Sequence, residues 1–488
     1  MNKTFFFYDL ETSGRKARED RIMQFAGQRT SLDLEPIGEP VNILVRMSDD
    51  ALPSPKAIAV TKITPQKTLE EGISEAEFCR LVTGEIFTPG TCAVGYNTVR
   101  FDDEFMRATF WRNFYEPYEF EWKDERSRWD MLDVVRLTRA LRPEGIAWPF
   151  REDGVPTNRL ELLTKENGLL HEHAHDALSD VYATIAVARL IREKQPKLFE
   201  YLFKVRGKRE VAKLVNLTDP KLFVYASGRY ANEFNKTTVA FPLTAGRNGN
   251  VVVFDLRFDP EEVFTKGMAS DSNDGPTEIP DDSETGEEKK KTSLFPIVKE
   301  LCLNKCPAVA PVSVLEAKGA DGVSGWERIG LSREKVEENL RKLVARPDFV
   351  ERVRSEFEKR PEFVPAVEPE AALYDGFLND ADRVKVSAVR AASATVDAGG
   401  AKVDAAAKLA DFHPDFADPR LPELLLHFKG RNFPKSLSET EMEKWEAYRR
   451  ARLERQVPKF LEELEEIEED FIKEELMLYF QSLGEAEY

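Results

Sequence analysis

Three short stretches of this chain set acidic side chains where they could hold a metal. Asp9-Leu10-Glu11 closes an apolar run over residues 4–10. Side chains on a strand alternate between its faces, so Asp9 and Glu11 point the same way, with Phe5 and Phe7 ahead of them. Two carboxylates leaving the end of a buried strand together could address one metal position. A third acid ends Gly95-Tyr96-Asn97-Thr98-Val99-Arg100-Phe101-Asp102, where a strand gives way to a loop and then a helix. On that helix Asp102 shares a face with Phe105, Met106 and Thr109, and a carboxylate on an apolar stripe needs a partner or a metal. Asp103 and Glu104 follow at once, so a solvated acidic helix start is the alternative. The last stretch is His175-Asp176-Ala177-Leu178-Ser179-Asp180. In one continuous helix His175 and Asp180 would sit about 140° apart. They converge if His175 lies on the loop before the helix, with Asp176 as N-cap. That sets a mobile imidazole, which titrates near neutral pH, beside a fixed carboxylate. A surface cluster with His171 and His173 is the alternative.

These residues need a scaffold. Residues 1–193 read as alternating strands and helices: apolar runs at 4–10 and 91–96, then helical spacing from Asp180, with Val181, Ile185 and Ala188 on one face. Gln195-Pro196 marks an expected boundary. Residues 196–360 change character. Strands are predicted over 221–226, 238–243 and 251–256, which suggests a small barrel-like sheet, followed by a helical stretch over 332–358. Residues 269–291 are rich in Ser, Asp, Glu, Gly and Pro and read as an acidic surface insertion. A third region, 361–488, carries predicted amphipathic helices at 442–453 and 460–478. Leu461, Leu464, Ile467 and Phe471 would form one stripe there.

Asp-x-Glu, a middle Asp and His-x-Ala-x-x-Asp, in that order and spacing, resemble the DnaQ-like, or DEDDh, exonucleases. The closer resemblance is to the bacterial exonuclease I family, and it covers most of the chain. It rests on GYNTVRFDDE (95–104), RNFYEPY (112–118), SRWDMLDV (127–134), ALRPEGIAWP (140–149) and AHDALSDVYATIA (174–186). NKCP (304–307), LYDGFLNDADR (373–383) and GRNFP (430–434) extend it through the other two regions. Residues 269–291 and 385–415 depart from the family pattern. The resemblance implies an α/β ribonuclease-H-like exonuclease domain, a Src-homology-like small β-barrel domain and a C-terminal α-helical domain. It also implies 3′→5′ digestion of single-stranded DNA to 5′-mononucleotides, in DNA repair and recombination.

A phosphodiester is anionic and repels hydroxide, so hydrolysis at neutral pH calls for divalent cations. Two ions about 4 Å apart can neutralise the phosphate and stabilise the leaving oxygen. Mg²⁺ suits carboxylate and water ligands, with Mn²⁺ as a substitute. Asp9, Glu11 and Asp180 are the candidate ligands, Asp102 serves the second ion, and His175 is the candidate general base. The resemblance carries the same roles to these five positions. For the strand it points to Glu11, Arg159, Arg107, Tyr118 and Trp122. It adds Arg136, Arg142 and Lys208, then Lys299, Tyr374 and Phe377. Arg groups track phosphates and aromatic rings stack bases; a peripheral aromatic cluster covering the core is the other reading of residues 114–122. An acidic C-terminal tail of single-stranded DNA-binding protein is the expected protein partner, with Arg341 and Lys342 on a predicted helix. The chain is expected to act as a monomer. A 3′→5′ exoribonuclease of the same fold and a catalytically silent single-strand-binding scaffold remain the rival functions.

Composition narrows the classes further. The chain has 488 residues, 42% apolar and 32% charged, with a formal charge of −18. Such a balance excludes a uniformly basic DNA binder, although phosphate contact depends on local charge. Lys204, Arg206, Lys208, Arg209 and Lys213 form one local basic group, which also reads as a solvated helix face. Cys79, Cys92, Cys302 and Cys306 make neither a zinc-type double pair nor a disulfide framework. Lys3 and the run Phe5-Phe6-Phe7 hint at a secretory leader, but Asp9 and Glu11 interrupt it too early. No stretch approaches the ~18 apolar residues of a membrane span. A cytoplasmic location is expected.

Overall fold

The computed structural model describes residues 3–169, 176–266, 297–359, 364–395 and 402–484. His175 and the acidic insertion 269–291 lie outside them. The first sheet has five strands: β1 (Thr4–Thr12), β2 (Ile22–Thr30), β3 (Val41–Leu44), β4 (Thr91–Gly95) and β5 (Ser127–Asp130). Their order is β3-β2-β1-β4-β5, with β1 antiparallel to β2 and parallel to β4.

β1 is central and covered on both faces, which is why it reads as a near-continuous apolar run. Phe5 and Phe7 pack with Trp129, Val134, Val181, Ile185 and Phe199. Phe6, Tyr8 and Leu10 pack the other way, with Phe25, Phe78, Phe105 and Phe110. The helix Ala177–Lys194 therefore crosses the same face of β1 that carries Phe5, Phe7, Asp9 and Glu11. The helix Asp102–Arg112 lies against the opposite face.

The second sheet is antiparallel throughout: β6 (Phe223–Ala226), β7 (Thr237–Ala245), β8 (Val251–Asp255), β9 (Val298–Leu301) and β10 (Ala308–Pro311), in the order β10-β6-β7-β8-β9. The sequence pattern anticipates β6 to β8. It does not anticipate β9 and β10, which are short and separated from β8 by the insertion. The helical stretch at 332–358 is two helices, Arg333–Val344 and Pro347–Glu358. Pro347 lacks an N–H and suits a first helical turn, so it starts the second helix rather than extending the first.

In the third region the expected helix 442–453 lies inside one 27-residue helix, Glu439–Glu465, opened by a Ser438–Glu441 capping box. The expected helix 460–478 is not continuous. The first helix ends at Glu465 and a new one, Asp470–Ser482, follows. The acid run from Glu462 to Asp470 is unfavourable at the negative end of a helix dipole, which accounts for the break. The single stripe is corrected accordingly: Leu464 and Ile467 are buried, whereas Phe471 is exposed on the later helix.

This region closes over the first. Met23, Met47 and Ile58 pack with Leu453, Phe460, Leu476 and Phe480. Trp111 and Phe114 pack with Leu421, Leu424, Leu409 and Phe428. Beside these apolar seams lies a buried charge cluster. Asp50 accepts from Arg21 at 2.9 Å and Arg431 at 3.0 Å. Glu370 pairs with Arg431 and, at 3.2 Å, with Arg21, while Arg452 lies 3.8 Å away. Among the described residues no helix is long and apolar enough to cross a membrane. All four cysteines are unpaired as thiols, three of them buried and Cys302 partly so.

Candidate active site

The site forms where β1 runs out under the start of a helix. Asp176 caps the helix Ala177–Lys194, its carboxylate accepting the Ser179 N–H at 3.1 Å. Asp180 then falls in the first turn, where an acid is favoured by the helix dipole. It faces the strand ends of Asp9 and Glu11. One carboxylate oxygen from each of Asp9, Glu11 and Asp180 lies within 4.8 Å of the others. Asp102 begins its own helix, and its Oδ1 accepts the Leu10 N–H at 3.1 Å. It is thus tied to the strand residue between Asp9 and Glu11.

Electrostatics shows what such crowding does. Burial, then the charges of Asp102, Asp180 and Glu11, push the Asp9 carboxyl well above the usual range. Burial, then Asp180 and Asp102, raise Glu11 to about 9. Asp102 is also raised, by burial first and by Asp103 next, against the lowering effect of backbone N–H groups. A cluster that resists carrying its negative charges is relieved by bound cations. Its donors are all oxygen, which suits a hard divalent ion rather than a soft one. The residues present fit divalent metal binding.

Asp103 and Tyr8 escaped the sequence reading. Asp103 is fully buried, and its Oδ1 accepts the Tyr8 hydroxyl at 2.5 Å while Arg128 donates to Oδ2. Tyr8 sits inside a run that reads only as core. Strand alternation sets the Tyr8 hydroxyl on the apolar face opposite Asp9, where it needs a partner, and that was the one available signal for Tyr8; Asp103 offered none. Asp130 is a further buried acid, accepting the Asn97, Val99 and Leu132 N–H groups at 2.9–3.2 Å. It shapes the turn that leads to Asp102.

The expected strand-binding residues fall into distinct surroundings. Arg107 is buried, donating to Glu121 at 2.6 Å and Glu104 at 2.7 Å, with its guanidinium 5.3 Å from the Tyr118 ring centre. The Tyr374 hydroxyl donates to the same Glu104. Arg107, Tyr118 and Tyr374 are therefore brought together. Arg136 is buried with its Nη1 2.8 Å from Asp133. Lys299 is buried 4.6 and 4.9 Å from the ring centres of Tyr225 and Tyr230, and donates to Ser227. Burial, with Arg100 and Arg229 next, holds its pKa well below the usual lysine range. Arg142 reaches the Val314 carbonyl at 3.4 Å, across the seam between the first two regions. Arg159 pairs with Glu161, and Lys208 is exposed at the start of the helix Lys208–Leu214. Of the expected strand-binding residues, Trp122 and Phe377 are the exposed rings, 65% and 87% accessible, whereas Phe114 and Phe120, in the aromatic stretch of Trp122, are core.

Three family descriptions match consecutive parts of the chain: Exonuclease over residues 6–188, Exonuclease I SH3-like domain over 206–359, and Exonuclease I C-terminal domain over 367–483. Exodeoxyribonuclease I of Haemophilus influenzae is 40% identical over 471 residues, 96% of this chain and 94% of the relative. The crystal structure of Escherichia coli exonuclease I with a dA16 oligonucleotide superposes with a TM-score of 0.84 at 33% identity, covering 99% of this chain and 100% of that one. The zinc-ion-bound form of the E. coli complex with single-stranded DNA gives 0.86 at 33% identity, with the same coverage. The mixed α/β first region, the SH3-like second and the helical third correspond to these structures.

Proposed function

The chain belongs to the exodeoxyribonuclease I family and is an exonuclease, and from that premise we propose that it shortens single-stranded DNA from the 3′ end, releasing 5′-mononucleotides. Its setting on this reading is DNA repair and recombination in the cytoplasm, as a monomer. The observation that carries the reading is the convergence of Asp9, Glu11 and Asp180 with Asp102 tied alongside.

Asp9, Glu11 and Asp180 would hold divalent metal, Mg²⁺ or in its place Mn²⁺, and Asp102 would serve a second ion. Bound there, the ions supply neutralisation of the scissile phosphate and activation of water near neutral pH. The chain's own groups do the remainder. His175 takes the proton of the attacking water, and Glu11 and Arg159 orient the terminal nucleotide. The exposed rings of Trp122 and Phe377 offer faces on which unpaired bases stack without sequence preference. Arg107, Arg136, Arg142, Lys208 and Lys299, with Tyr118 and Tyr374, make up the rest of the strand path. Buried or half-buried as several of them are, Arg107, Arg136 and Lys299 act through the shape and potential of that path more than as free phosphate clamps. The DNA complexes of the E. coli enzyme support single-stranded DNA as the partner.

Docking of an acidic single-stranded DNA-binding protein tail rests on family resemblance. On the helix Arg333–Val344, Lys342 is engaged by Asp259 at 2.6 Å and Glu338 at 3.0 Å, so exposed Arg341 is the better cation for it.

The test is product analysis of a 5′-labelled DNA strand in Mg²⁺, beside its RNA counterpart. A ladder shortening from the 3′ end on DNA alone is expected. Equal consumption of RNA would favour the exoribonuclease reading, and no cleavage with any divalent ion would leave a silent binder.

A further inference from the structure

The buried Arg128–Asp103 pair lies one residue from Asp102, and its partner Tyr8 lies one residue from Asp9; the mechanism above uses neither. Asp103 follows Asp102 on a helix, where successive side chains point about 100° apart. Tyr8 precedes Asp9 on a strand, where successive side chains point to opposite faces. The Tyr8–Asp103 hydrogen bond of 2.5 Å therefore joins, on the hidden side, the strand carrying Asp9 and Glu11 to the helix carrying Asp102. Arg128 of β5 completes the joint. Its Nη1 donates to Asp103, and its Nη2 donates to the Asn304 carbonyl at 2.8 Å and lies 3.2 Å from Glu121.

Asn304 belongs to the second region. In the same turn Cys306, at φ +47°, donates its thiol to the Arg128 carbonyl at 3.2 Å, and the Lys305 ammonium lies 3.6 Å from Glu104. The turn thus holds Arg128 at both its guanidinium and its backbone. The planar fork places its donors on separate nitrogens, Nη1 for Asp103 and Nη2 for Asn304 and Glu121, whereas an ammonium gathers its three donors on one atom.

We propose that Arg128 is a positioning residue for the metal centre: through Asp103 it sets Asp102 against Asp9 and Glu11, and the 304–306 turn of the SH3-like region completes that setting. The inference rests on the metal-dependent reading above. Groups behind metal ligands orient them, and their loss weakens binding by about 10–100-fold.

The experiment measures Mn²⁺ binding to the whole chain by calorimetry, without DNA, beside a urea melt. Arg128→Lys keeps the charge and loses the fork, so Mn²⁺ binding should weaken by about 10–100-fold. In the nuclease assay the Mg²⁺ needed for half-maximal rate should rise while the KM for the strand stays near its original value. Tyr8→Phe leaves no buried charge unpaired and should give a smaller shift of the same sign. The double variant Arg128→Met with Asp103→Leu separates positioning from stability, because an apolar pair of similar size can replace a buried ion pair without loss of stability. It should keep one cooperative melt, lowered only by the orphaned Tyr8 hydroxyl and Asn304 carbonyl, yet retain the weakened Mn²⁺ binding. Unaltered Mn²⁺ affinity in Tyr8→Phe and Arg128→Lys, or its return in the double variant, overturns the inference alone. Failure of the unaltered chain to bind Mn²⁺ overturns the metal-dependent reading and this inference with it.

Discussion

Replacing Glu370 by glutamine tests how the third region is held to the first. Three guanidiniums, Arg21, Arg431 and Arg452, surround two fully buried carboxylates, Asp50 and Glu370. Glutamine keeps the shape, removes one of the two negative charges and turns an amide N–H₂ toward a guanidinium. Two charge-assisted hydrogen bonds, to Arg431 and Arg21, are lost or weakened, at about 1.5–3 kcal/mol each. Breaking a buried ion pair by neutralising one partner costs about 3–5 kcal/mol, in agreement with that sum. With a urea slope of about 3 kcal/mol per molar, the midpoint should fall by about 1–1.7 M. Tryptophan emission reports the change locally, since Trp445 lies 5.9 Å from His427 and 6.0 Å from Arg431. Acid provides a second axis. Burial alone would raise Glu370, yet Arg431 and Arg21 hold it well below its ordinary 4.5. A depressed carboxyl stabilises fully above its unfolded value and loses that contribution as pH falls toward the folded one. The difference between Glu370→Gln and the unaltered chain should therefore be full at pH 7 and shrink below pH about 4.5. An unchanged midpoint with an unchanged slope at pH 7 would refute the reasoning.

Other outcomes follow from the site. Asp9→Ala, Asp102→Ala or Asp180→Ala should each lower the cleavage rate about 10³-fold or more, the equivalent of several kcal/mol of charge stabilisation, with the melt otherwise near normal; a variant with near-normal rate leaves the mechanism. His175→Ala should slow hydrolysis while strand binding survives, and its pH–rate profile should lose the acidic limb of an imidazole base. Glu11 is raised from 4.5 to about 9, so without metal the stability it contributes is full below pH 4.5 and is lost as pH climbs through about 9. Calorimetry should accordingly find that Mg²⁺ raises the melting temperature more at pH 8.5 than at pH 6. Trp122→Ala and Phe377→Ala should weaken oligonucleotide binding about five- to a hundredfold each, read by fluorescence anisotropy, if their rings carry stacked bases.

What could be read without coordinates follows the range of the interactions. Strand parity is strictly local, so the shared direction of Asp9 and Glu11 was legible from three residues, and the apolar stripe beginning at Val181 gave the face of Asp180. The Asp176 cap was legible for the same reason. Asp103 was not, because its partners Tyr8 and Arg128 lie 95 and 25 residues away and nothing local distinguishes a buried acid from a solvated helix start. Charge type alone does not reveal a residue's partners. Arg107 and Arg136 carry the chemistry of phosphate binding, yet their guanidiniums face Glu104, Glu121 and Asp133. β9 and β10 were hidden by the insertion ahead of them. The break after Glu465 lay in a stretch whose apolar spacing continues through it, and only the accumulated acid at the helix end signals the stop.

The seam that joins the last helices to the first strands also bears on how the molecule is made. Tyr479 donates its hydroxyl to the Ser48 carbonyl across a separation of 431 residues. At about 5–20 residues per second, translation needs roughly 20–90 s to cover that distance. Through most of that interval Met23, Met47 and Ile58 lack the cover of Leu453, Phe460, Leu476 and Phe480, and Arg21 and Asp50 lack the guanidiniums and carboxylate that later surround them. The nascent catalytic region therefore leaves the ribosome with an adhesive flank, and chaperones would be drawn to it. A ribosome that stalls short of Leu453 leaves a chain that cannot bury this flank. Such a fragment already carries Asp9, Glu11, Asp102 and Asp180, and its open flank marks it for proteolytic quality control.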